Sequence, residues 1–207
     1  MKTFIISGWT WKMWLYCAIK LAKEWNKVIV IWRNDIKLRK IWEFNNIIPL
    51  KLDFNNINAL NSVLNKIEEI DYIINFIWWT IYSNDYVSIE DLETEKMNQI
   101  FLLNVSFWFN IIKNLYNKIN SNWKIINIWS ISYKYNLDNI FYNSSNLYLD
   151  NLTIFLSKEK YFKEKKIKSH IIHPWDFIES EKASKIYKEI HNIIENKTKK
   201  TRIIVKN

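Results

Sequence analysis

The sequence has almost none of the residue that polypeptides use for tight backbone turns. Among 207 residues there is one glycine, Gly8, whereas tryptophan occurs twelve times. Average usage near 7% would give about 14 glycines in a chain of this length. One glycine and twelve tryptophans together make 13, close to that expectation. Either the fold requires almost no glycine, or tryptophan stands where glycine belongs.

Cysteine and long apolar runs are scarce as well. The single cysteine, Cys17, excludes an internal disulfide framework and suits a reducing compartment. No apolar run approaches the roughly 18 residues that a membrane span needs, and the stretch MKTFIISGWT is too short for a secretory signal. With 49% hydrophobic and 25% charged residues, we expect a cytoplasmic protein without a membrane segment, folded as one domain over residues 1–207.

Arginine and alanine are also rare. Three arginines and four alanines stand against 37 isoleucines, 27 asparagines and 27 lysines. AT-rich codons favour these abundant residues, so the bias indicates a genome composition rather than a fold. The net charge of +9 then indicates a lysine-rich solvated surface, with a surface for nucleic acid or an anionic ligand as the alternative. Because arginine is the usual reader of bases, specific DNA recognition is not expected.

Apolar runs of the β type alternate with amphipathic stretches along the chain. The runs lie at Thr3–Ser7, Lys27–Ile31, Ile47–Leu52, Tyr72–Phe76, Lys124–Ile128, Ser169–His173 and Arg202–Val205. The amphipathic stretches lie at Met13–Glu24, Asn56–Glu69, Ile89–Asn120, Tyr142–Lys163 and Ser180–Asn196. Continuous Ile/Val runs separated by helices are typical of a parallel sheet covered on both faces. We predict an α/β fold, a Rossmann-like doubly wound parallel sheet in a single domain.

Most tryptophans fall at the ends of these elements, where glycine is common. Trp9, Trp11 and Trp14 occupy the first strand-to-helix turn, and Trp25 follows the first helix at the position that favours left-handed glycine. Others follow strands or stand in turn sequences: Trp32, Trp78, Trp79, Trp123, Trp129 and Trp175. Genuine core aromatics are the alternative, but these would follow the apolar periodicity of helices and strands. We expect most of the tryptophans to stand for glycine, through a UGA codon that the source organism reads as glycine.

With glycine at those positions, the first turn resembles that of the short-chain dehydrogenase/reductase family. Residues 7–14, SGWTWKMW, are similar to the family pattern TGxxxGxG, with Gly8 first and Trp14 last. Lys12 stands at the middle glycine position, which departs from the pattern. The resemblance extends over nearly the whole chain and implies a dinucleotide cofactor at this turn. The implied contacts are Gly8, Thr10, Lys12, Met13 and Trp14.

The residues that follow the second strand indicate whether the cofactor would be NADP or NAD. Trp32-Arg33 resembles the Gly-Arg pair of NADP-dependent family members, in which the arginine faces the 2′-phosphate. Lys12, near the phosphates, agrees with this preference. A surface charge at a strand end is the alternative for Arg33. The resemblance therefore implies NADP, with NAD as the second choice.

Three later segments supply the remaining cofactor contacts that the resemblance implies. The strand-three segment LDF is similar to the one whose aspartate contacts adenine, and the segment NFIW, with a phenylalanine that departs from the pattern, takes the place of the motif NNAG. The segment HPWDF resembles the Pro-Gly turn that closes over the nicotinamide. The implied residues are Asp53, Phe54, Asn75, Ile77, Pro174 and Trp175. His173 is expected to pack at a strand end rather than to catalyse.

Three members of the family's Asn–Ser–Tyr–Lys tetrad have matches. Asn104 in FLLNVSF matches the asparagine that holds a proton-relay water, and Ser130 matches the serine after the fifth strand. Tyr142 begins YNSSN, which is similar to YxxxK except that Asn146 replaces the lysine. In the family that lysine holds the nicotinamide ribose and lowers the pKa of the tyrosine. An unperturbed tyrosine is only about one part in a thousand ionised at pH 7, so oxidation would suffer more than reduction.

The implied function is NADP(H)-dependent reduction of a small-molecule carbonyl, with Tyr142 as acid, Ser130 positioning the oxygen and Asn104 supporting a water relay. The alternative is a catalytically weak or inactive dinucleotide-binding protein, because Asn146 replaces the lysine. A third class is nucleic-acid binding through the basic surface. No metal site is expected.

The expected partners are a small carbonyl or alcohol substrate and further copies of this chain. Family members form dimers or tetramers through the helices that correspond to Ile89–Asn120 and Tyr142–Lys163. We also expect that the chain with indoles at Trp9, Trp11 and Trp14 cannot hold a dinucleotide, because the indoles fill the space that the pyrophosphate needs.

Overall fold

Strands rich in isoleucine and valine form the centre of the molecule. The computed structural model describes residues 1–8, 11–32, 38–39, 41, 43–52, 56–76, 88–129, 140–174 and 180–205, without the side chains of residues 11, 12, 57, 89 and 180–182. The strands in these ranges are β1 (Thr3–Gly8), β2 (Lys27–Trp32), β3 (Ile47–Lys51), β4 (Ile70–Phe76), β5 (Ile119–Ile128), β6 (Lys168–Pro174) and β7 (Arg202–Val205).

Helices connect these strands. They are α1 (Trp11–Lys23), α2 (Ile57–Asn65), α3 (Thr94–Phe101), α4 (Phe107–Leu115), α5 (Ile140–Lys158), α6 (Lys160–Glu164) and α7 (Ser180–Ile194). A π-helical turn, Leu102–Ser106, joins α3 to α4, and short 3₁₀ turns lie at Ile89–Asp91 and Tyr116–Lys118.

The described strands form one seven-stranded sheet in which every neighbouring pair is parallel. Their order is β3-β2-β1-β4-β5-β6-β7. The chain therefore winds outward from β1 to β3, returns to β4 beside β1, and winds outward again to β7. This confirms the predicted doubly wound α/β fold and places its topological switch point between β1 and β4.

Alternate side chains of each strand pack on opposite faces of the sheet. On one face Ile6 belongs to a core that includes Leu21 of α1 and Ile190 of α7. On the other face Ile5 belongs to a core that includes Ile111 of α4, together with residues of α2 and α5. Because both faces are covered, strands with apolar residues at successive positions are stable here, which explains the continuous isoleucine runs.

The structure corrects two predicted boundaries. The stretch Ile89–Asn120 is not one helix, because the π-helical turn interrupts it and β5 already begins at Ile119. The stretch Tyr142–Lys163 is divided at Glu159, which has an extended conformation and caps α6 by accepting a hydrogen bond from the backbone N–H of Phe162 at 3.0 Å. Apolar periodicity continues through both breaks, so it could not reveal them.

Trp25 has the left-handed conformation that its place after α1 predicts. Its φ is +63°, and 79% of its surface is exposed. The Trp25 N–H donates to the Ala22 carbonyl at 3.1 Å, and the Asn26 N–H donates to the Leu21 carbonyl at 3.4 Å. These two hydrogen bonds form a Schellman motif, in which glycine is the preferred left-handed residue. The prediction of a glycine-type position is therefore confirmed for Trp25.

Candidate functional site

The crevice expected of this topology lies where β1 and β4 end side by side. Gly8 ends β1 and is paired with Phe76 of β4, and a Cβ atom at Gly8 would lie 2.4 Å from the Cβ of Phe76. One residue before each, the Ser7 hydroxyl donates to the Asn75 side-chain oxygen at 3.3 Å, and both residues are fully buried. Glycine is thus required at position 8 by close backbone approach, and Asn75 joins the two strands at the switch point.

The first turn of α1 places predicted cofactor residues against the core. The side chains of Met13 and Trp14 are 1% and 0% exposed. The Trp14 ring packs on that of Trp32, which ends β2, with centroids 5.3 Å apart and planes inclined by 40°. Two indoles therefore fill the volume between the start of α1 and the end of β2. A glycine at either position would leave that volume open.

Asn104 lies in the π-helical turn between α3 and α4. Turns of this kind are frequent at functional sites because they redirect side chains out of the regular helical ladder. The Asn104 side chain is 1% exposed, and its amide nitrogen donates to the Ser145 hydroxyl at 3.1 Å. Ser145 in turn donates to the Tyr142 backbone carbonyl at 2.8 Å. A chain of two hydrogen bonds thus connects Asn104 to the first turn of α5.

Tyr142 and Asn146 lie on the same face of α5, four residues apart. Both are buried, and the Tyr142 hydroxyl oxygen is enclosed within the protein. The Asn146 Nδ2 atom is buried and has no hydrogen-bond partner among the residues that the structure describes. Leaving a buried amide N–H unpaired costs about 1–3 kcal/mol. A donor held in this state is suited to a hydroxyl group or a water molecule brought in with a ligand.

Seven of the predicted site residues lie outside the described residues: Thr10, Arg33, Asp53, Phe54, Ile77, Ser130 and Trp175. The side chain of Lys12 is also outside them. Pro174 ends β6 and is paired with Val205 of β7. The structure therefore brings together Asn104, Tyr142 and Asn146, and separately Gly8 and Asn75, while the remaining roles stay predictions.

Sequence reasoning missed a buried carboxylate beside this site. Asp150 of α5 is fully buried and accepts hydrogen bonds from Trp129 and Arg202. His173, expected as a packing residue, is also fully buried, and its ring approaches the same carboxylate. An acidic residue among the buried positions of a helix was the available signal. Its partners lie at distant positions in the sequence, so their proximity was not predictable.

The described residues contain no group of three or more histidine, cysteine, aspartate or glutamate side chains that could hold a metal ion. None of the helices that they form is long and apolar enough to cross a membrane.

Solved structures that resemble this one are short-chain dehydrogenases. One from Streptomyces avermitilis superposes with a TM-score of 0.83 over 100% of this chain and 88% of its own, at 13% identity. A short-chain dehydrogenase/reductase from Vibrio parahaemolyticus gives 0.81 over 99% and 100% of the two chains, at 15% identity. The chain has the fold of the short-chain dehydrogenase/reductases.

A further structural neighbour was solved with a ligand. The protein BdcA in complex with NADPH superposes with a TM-score of 0.71 over 84% of this chain and 70% of its own, at 15% identity. At the level of sequence, the chain matches no protein-family model and no curated protein. The likeness therefore concerns the short-chain dehydrogenase fold alone.

Proposed function

We propose that this protein is an NADP(H)-dependent oxidoreductase that reduces the carbonyl group of a small molecule. The observation that carries the proposal is the buried link from Asn104 through Ser145 to the turn of α5 that holds Tyr142. It connects a polar side chain of the π-helical turn to the first turn of a helix that follows β5 and carries a buried phenol. Ligands of doubly wound sheets bind at the carboxyl ends of the strands, which is where such a helix begins.

Several features of the described residues fit a dinucleotide. The switch point lies between β1 and β4, and Gly8 there has no room for a side chain. The neighbour BdcA, which binds NADPH, has the same fold. Gly8 and the backbone of the following turn would hold the phosphates, and the buried Asn146 amide would donate to a ribose hydroxyl. When bound, the reduced nicotinamide supplies a hydride.

The chain itself would supply the proton. A neutral phenol is the form of tyrosine that can donate to a carbonyl oxygen, and it predominates at pH 7 when no cation stabilises the phenolate. Asn146, four residues from Tyr142, carries no charge where the family pattern has lysine. Tyr142 would therefore act as an acid in reduction more readily than as a base in oxidation. Ser130 would position the carbonyl oxygen, and Asn104 would support the proton supply.

The first experiment measures cofactor binding by fluorescence titration with NADPH. Two forms are compared: the printed sequence, and a variant in which Trp9, Trp11 and Trp14 are glycine. We expect saturable binding by the glycine variant and none by the printed form, because indoles in the turn exclude the pyrophosphate. Trp25→Gly is the matched control, since it adds glycine at an exposed position and should confer no binding. Detectable affinity of the printed form would contradict this reasoning.

The second experiment offers the NADPH-binding form a panel of aldehydes, ketones and alcohols. We expect carbonyl reduction, together with slower alcohol oxidation. Asn146→Lys should raise oxidation more than reduction, because a cation within about 4–6 Å raises the ionised fraction of an acidic group about 10- to 1000-fold. Asn151→Lys is the control, since position 151 is on the exposed face of the same helix. Binding without turnover, unrepaired by Asn146→Lys, would favour a non-catalytic dinucleotide-binding protein.

We further propose a homodimer or homotetramer in the cytoplasm. The supporting observation is a row of exposed apolar side chains on α5, namely Leu147, Tyr148 and Phe155. Light scattering after size exclusion should give a multiple of 25.4 kDa for the printed sequence. A monomer at micromolar concentration would contradict the proposal.

The alternative of nucleic-acid binding through the basic surface has its own test. Retention of random DNA at low salt would support that alternative.

A further inference from the structure

Asp150 is a fully buried carboxylate on α5, four residues after Asn146 and eight after Tyr142. A carboxylate removed from water is costly unless hydrogen bonds and opposite charge compensate it. Asp150 therefore requires partners, and the structure provides them from three strands. Its side chain lies on the same helix as the proposed acid but takes no part in the chemistry described above.

The partners of Asp150 lie directly after β5, near the end of β6 and at the start of β7. The Trp129 indole N–H donates to Oδ1 at 2.9 Å, and Arg202 donates through Nη2 to Oδ2 at 2.9 Å. The Nε2 atom of His173 lies 3.4 Å from Oδ1. One carboxylate thus contacts residues on three adjacent strands. Arg202 keeps 41% of its side chain exposed, so its charge is partly solvated while it neutralises the buried acid.

His173 connects the carboxylate to the main chain of β5. Its Nδ1 atom lies 3.2 Å from the Trp129 backbone carbonyl oxygen, while Nε2 faces Asp150. The imidazole therefore lies between two acceptors, the backbone carbonyl and the carboxylate. This connection runs through a backbone carbonyl, so it does not depend on which side chain stands at position 129. A glycine there would remove the indole donor and leave the contacts of Asp150 with His173 and Arg202.

The positions of these contacts connect the cluster to the proposed site. Trp129 directly precedes Ser130, and His173 directly precedes Pro174 at the end of β6. We propose that Asp150 is a positioning residue, which fixes the carboxyl ends of β5 and β6 relative to the helix that carries Tyr142. The inference rests on the proposed carbonyl reduction. Loss of the carboxylate should misplace the groups that follow each strand and should slow turnover without changing cofactor affinity.

The decisive variant is Asp150→Asn, which keeps the shape of the side chain and removes its charge. It is made in the form of the chain that binds NADPH. We expect kcat for carbonyl reduction to fall at least about tenfold, since small misplacements of reacting groups have effects of this order or larger. The dissociation constant for NADPH should change less than twofold. A purely structural role would not separate kcat from cofactor binding in this way.

Asp71→Asn is the matched control. Asp71 is likewise a hydrogen-bonded aspartate, which accepts from the Thr3 backbone N–H at 2.8 Å, but it lies near the beginnings of β1 and β4, at the opposite end of the strands. It should lower stability while leaving kcat unchanged. If Asp150→Asn does not fold, Arg202→Met and Arg202→Lys replace it, because Arg202 is partly exposed. The methionine variant should lose kcat, and the lysine variant should retain most of it.

The outcomes distinguish this inference from the proposed function. If the parent reduces carbonyls and Asp150→Asn or Arg202→Met has the parental kcat, the positioning role is overturned and the proposed function stands. If kcat and NADPH affinity fall together, the role is also overturned, because the effect is then general. A parent that binds NADPH but reduces no carbonyl overturns the proposed function, and this inference with it.

Discussion

Trp25 offers the sharpest test of whether glycine belongs at a tryptophan position. In the left-handed conformation an ordinary L-residue is disfavoured by about 1–2 kcal/mol, a cost that glycine does not have. Trp25 has a φ of +63°, and because 79% of its surface is exposed, little packing would be lost on its removal. Glycine also makes the unfolded chain more flexible, which reduces this gain in stability by about 0.5–1 kcal/mol. Trp25→Gly should therefore stabilise the fold by about 0.5–1 kcal/mol.

The assay is equilibrium unfolding in denaturant, with thermal unfolding as a second measurement. A gain of 1 kcal/mol corresponds to an increase in Tm of about 2–4 °C for a domain of this size. Lys166→Gly is the matched control, since Lys166 has a φ of +56° in a Schellman motif after α6. It should give a gain of similar size. Trp123→Gly is the opposite control, because Trp123 is 4% exposed in β5 and its loss should cost at least about 3 kcal/mol.

Opposite effects of the two glycine substitutions on stability would refute the explanation by backbone strain at Trp25. If Lys166→Gly stabilises the protein and Trp25→Gly destabilises it, the indole at position 25 makes contacts that outweigh its backbone strain. Tryptophan would then be the residue that this position requires. If neither substitution stabilises the protein, left-handed strain is not a measurable cost at these helix ends.

Three other perturbations have defined outcomes. Gly8→Ala should destabilise the fold by about 1–3 kcal/mol in denaturant unfolding, because the added methyl would lie 2.4 Å from the Phe76 Cβ. Burial raises the pKa of the Cys17 thiol, so a thiol-specific reagent should label no cysteine in the native chain and one after unfolding. Burial and the neighbouring Lys168 lower the pKa of Lys124 to about 8 from an ordinary 10.5. Because the unfolded chain then binds more protons, the free energy of unfolding should rise from pH 8 to 10.5, relative to Lys124→Met.

The strands were more predictable than the helices, for a physical reason. A strand buried on both faces requires apolar residues at successive positions, and that pattern located β7 at its observed bounds and β2 to within one residue. The first half of β5 was missed because its sequence, INSN, is typical of a turn. Asn122 there has a φ of +71°. Asn122 thus keeps the left-handed conformation that asparagine favours in turns, and the register of β5 with β4 is irregular there.

The candidate site was predictable as far as it depends on short-range spacing. Tyr142 and Asn146 share a helix face because they are four residues apart, and the structure has them so. The bond from Asn104 to Ser145 joins positions 41 residues apart, and the one from Arg202 to Asp150 joins positions 52 apart. Periodicity carries no information about such pairs. They depend on how α5 lies across the sheet.

Residues other than tryptophan also occupy positions after helices where glycine is preferred. Trp25, Lys166 and Asn196 all have left-handed conformations after helices, with φ between +56° and +63°. The hydrogen bonds after each helix follow the same pattern, so each is a position where glycine is preferred. Two of the three are lysine or asparagine, the residues that AT-rich codons favour, and codon reassignment cannot account for them. The scarcity of glycine is therefore not confined to the positions that carry tryptophan.

The buried tryptophans differ in whether the indole N–H has a hydrogen-bond partner. Trp129 is fully buried with its indole N–H bonded to Asp150, so tryptophan has a satisfied partner there. Trp108 is fully buried, and its Nε1 atom lacks a hydrogen-bond partner within the described part of the chain. Glycine would therefore relieve backbone strain at Trp25, whereas it would leave a cavity at Trp108 and would also remove a bonded donor at Trp129. We propose that the intact mass of the natural protein lies well below 25.4 kDa. A mass equal to that value would assign the twelve indoles to the native chain and would require its first turn to function without glycine after Gly8.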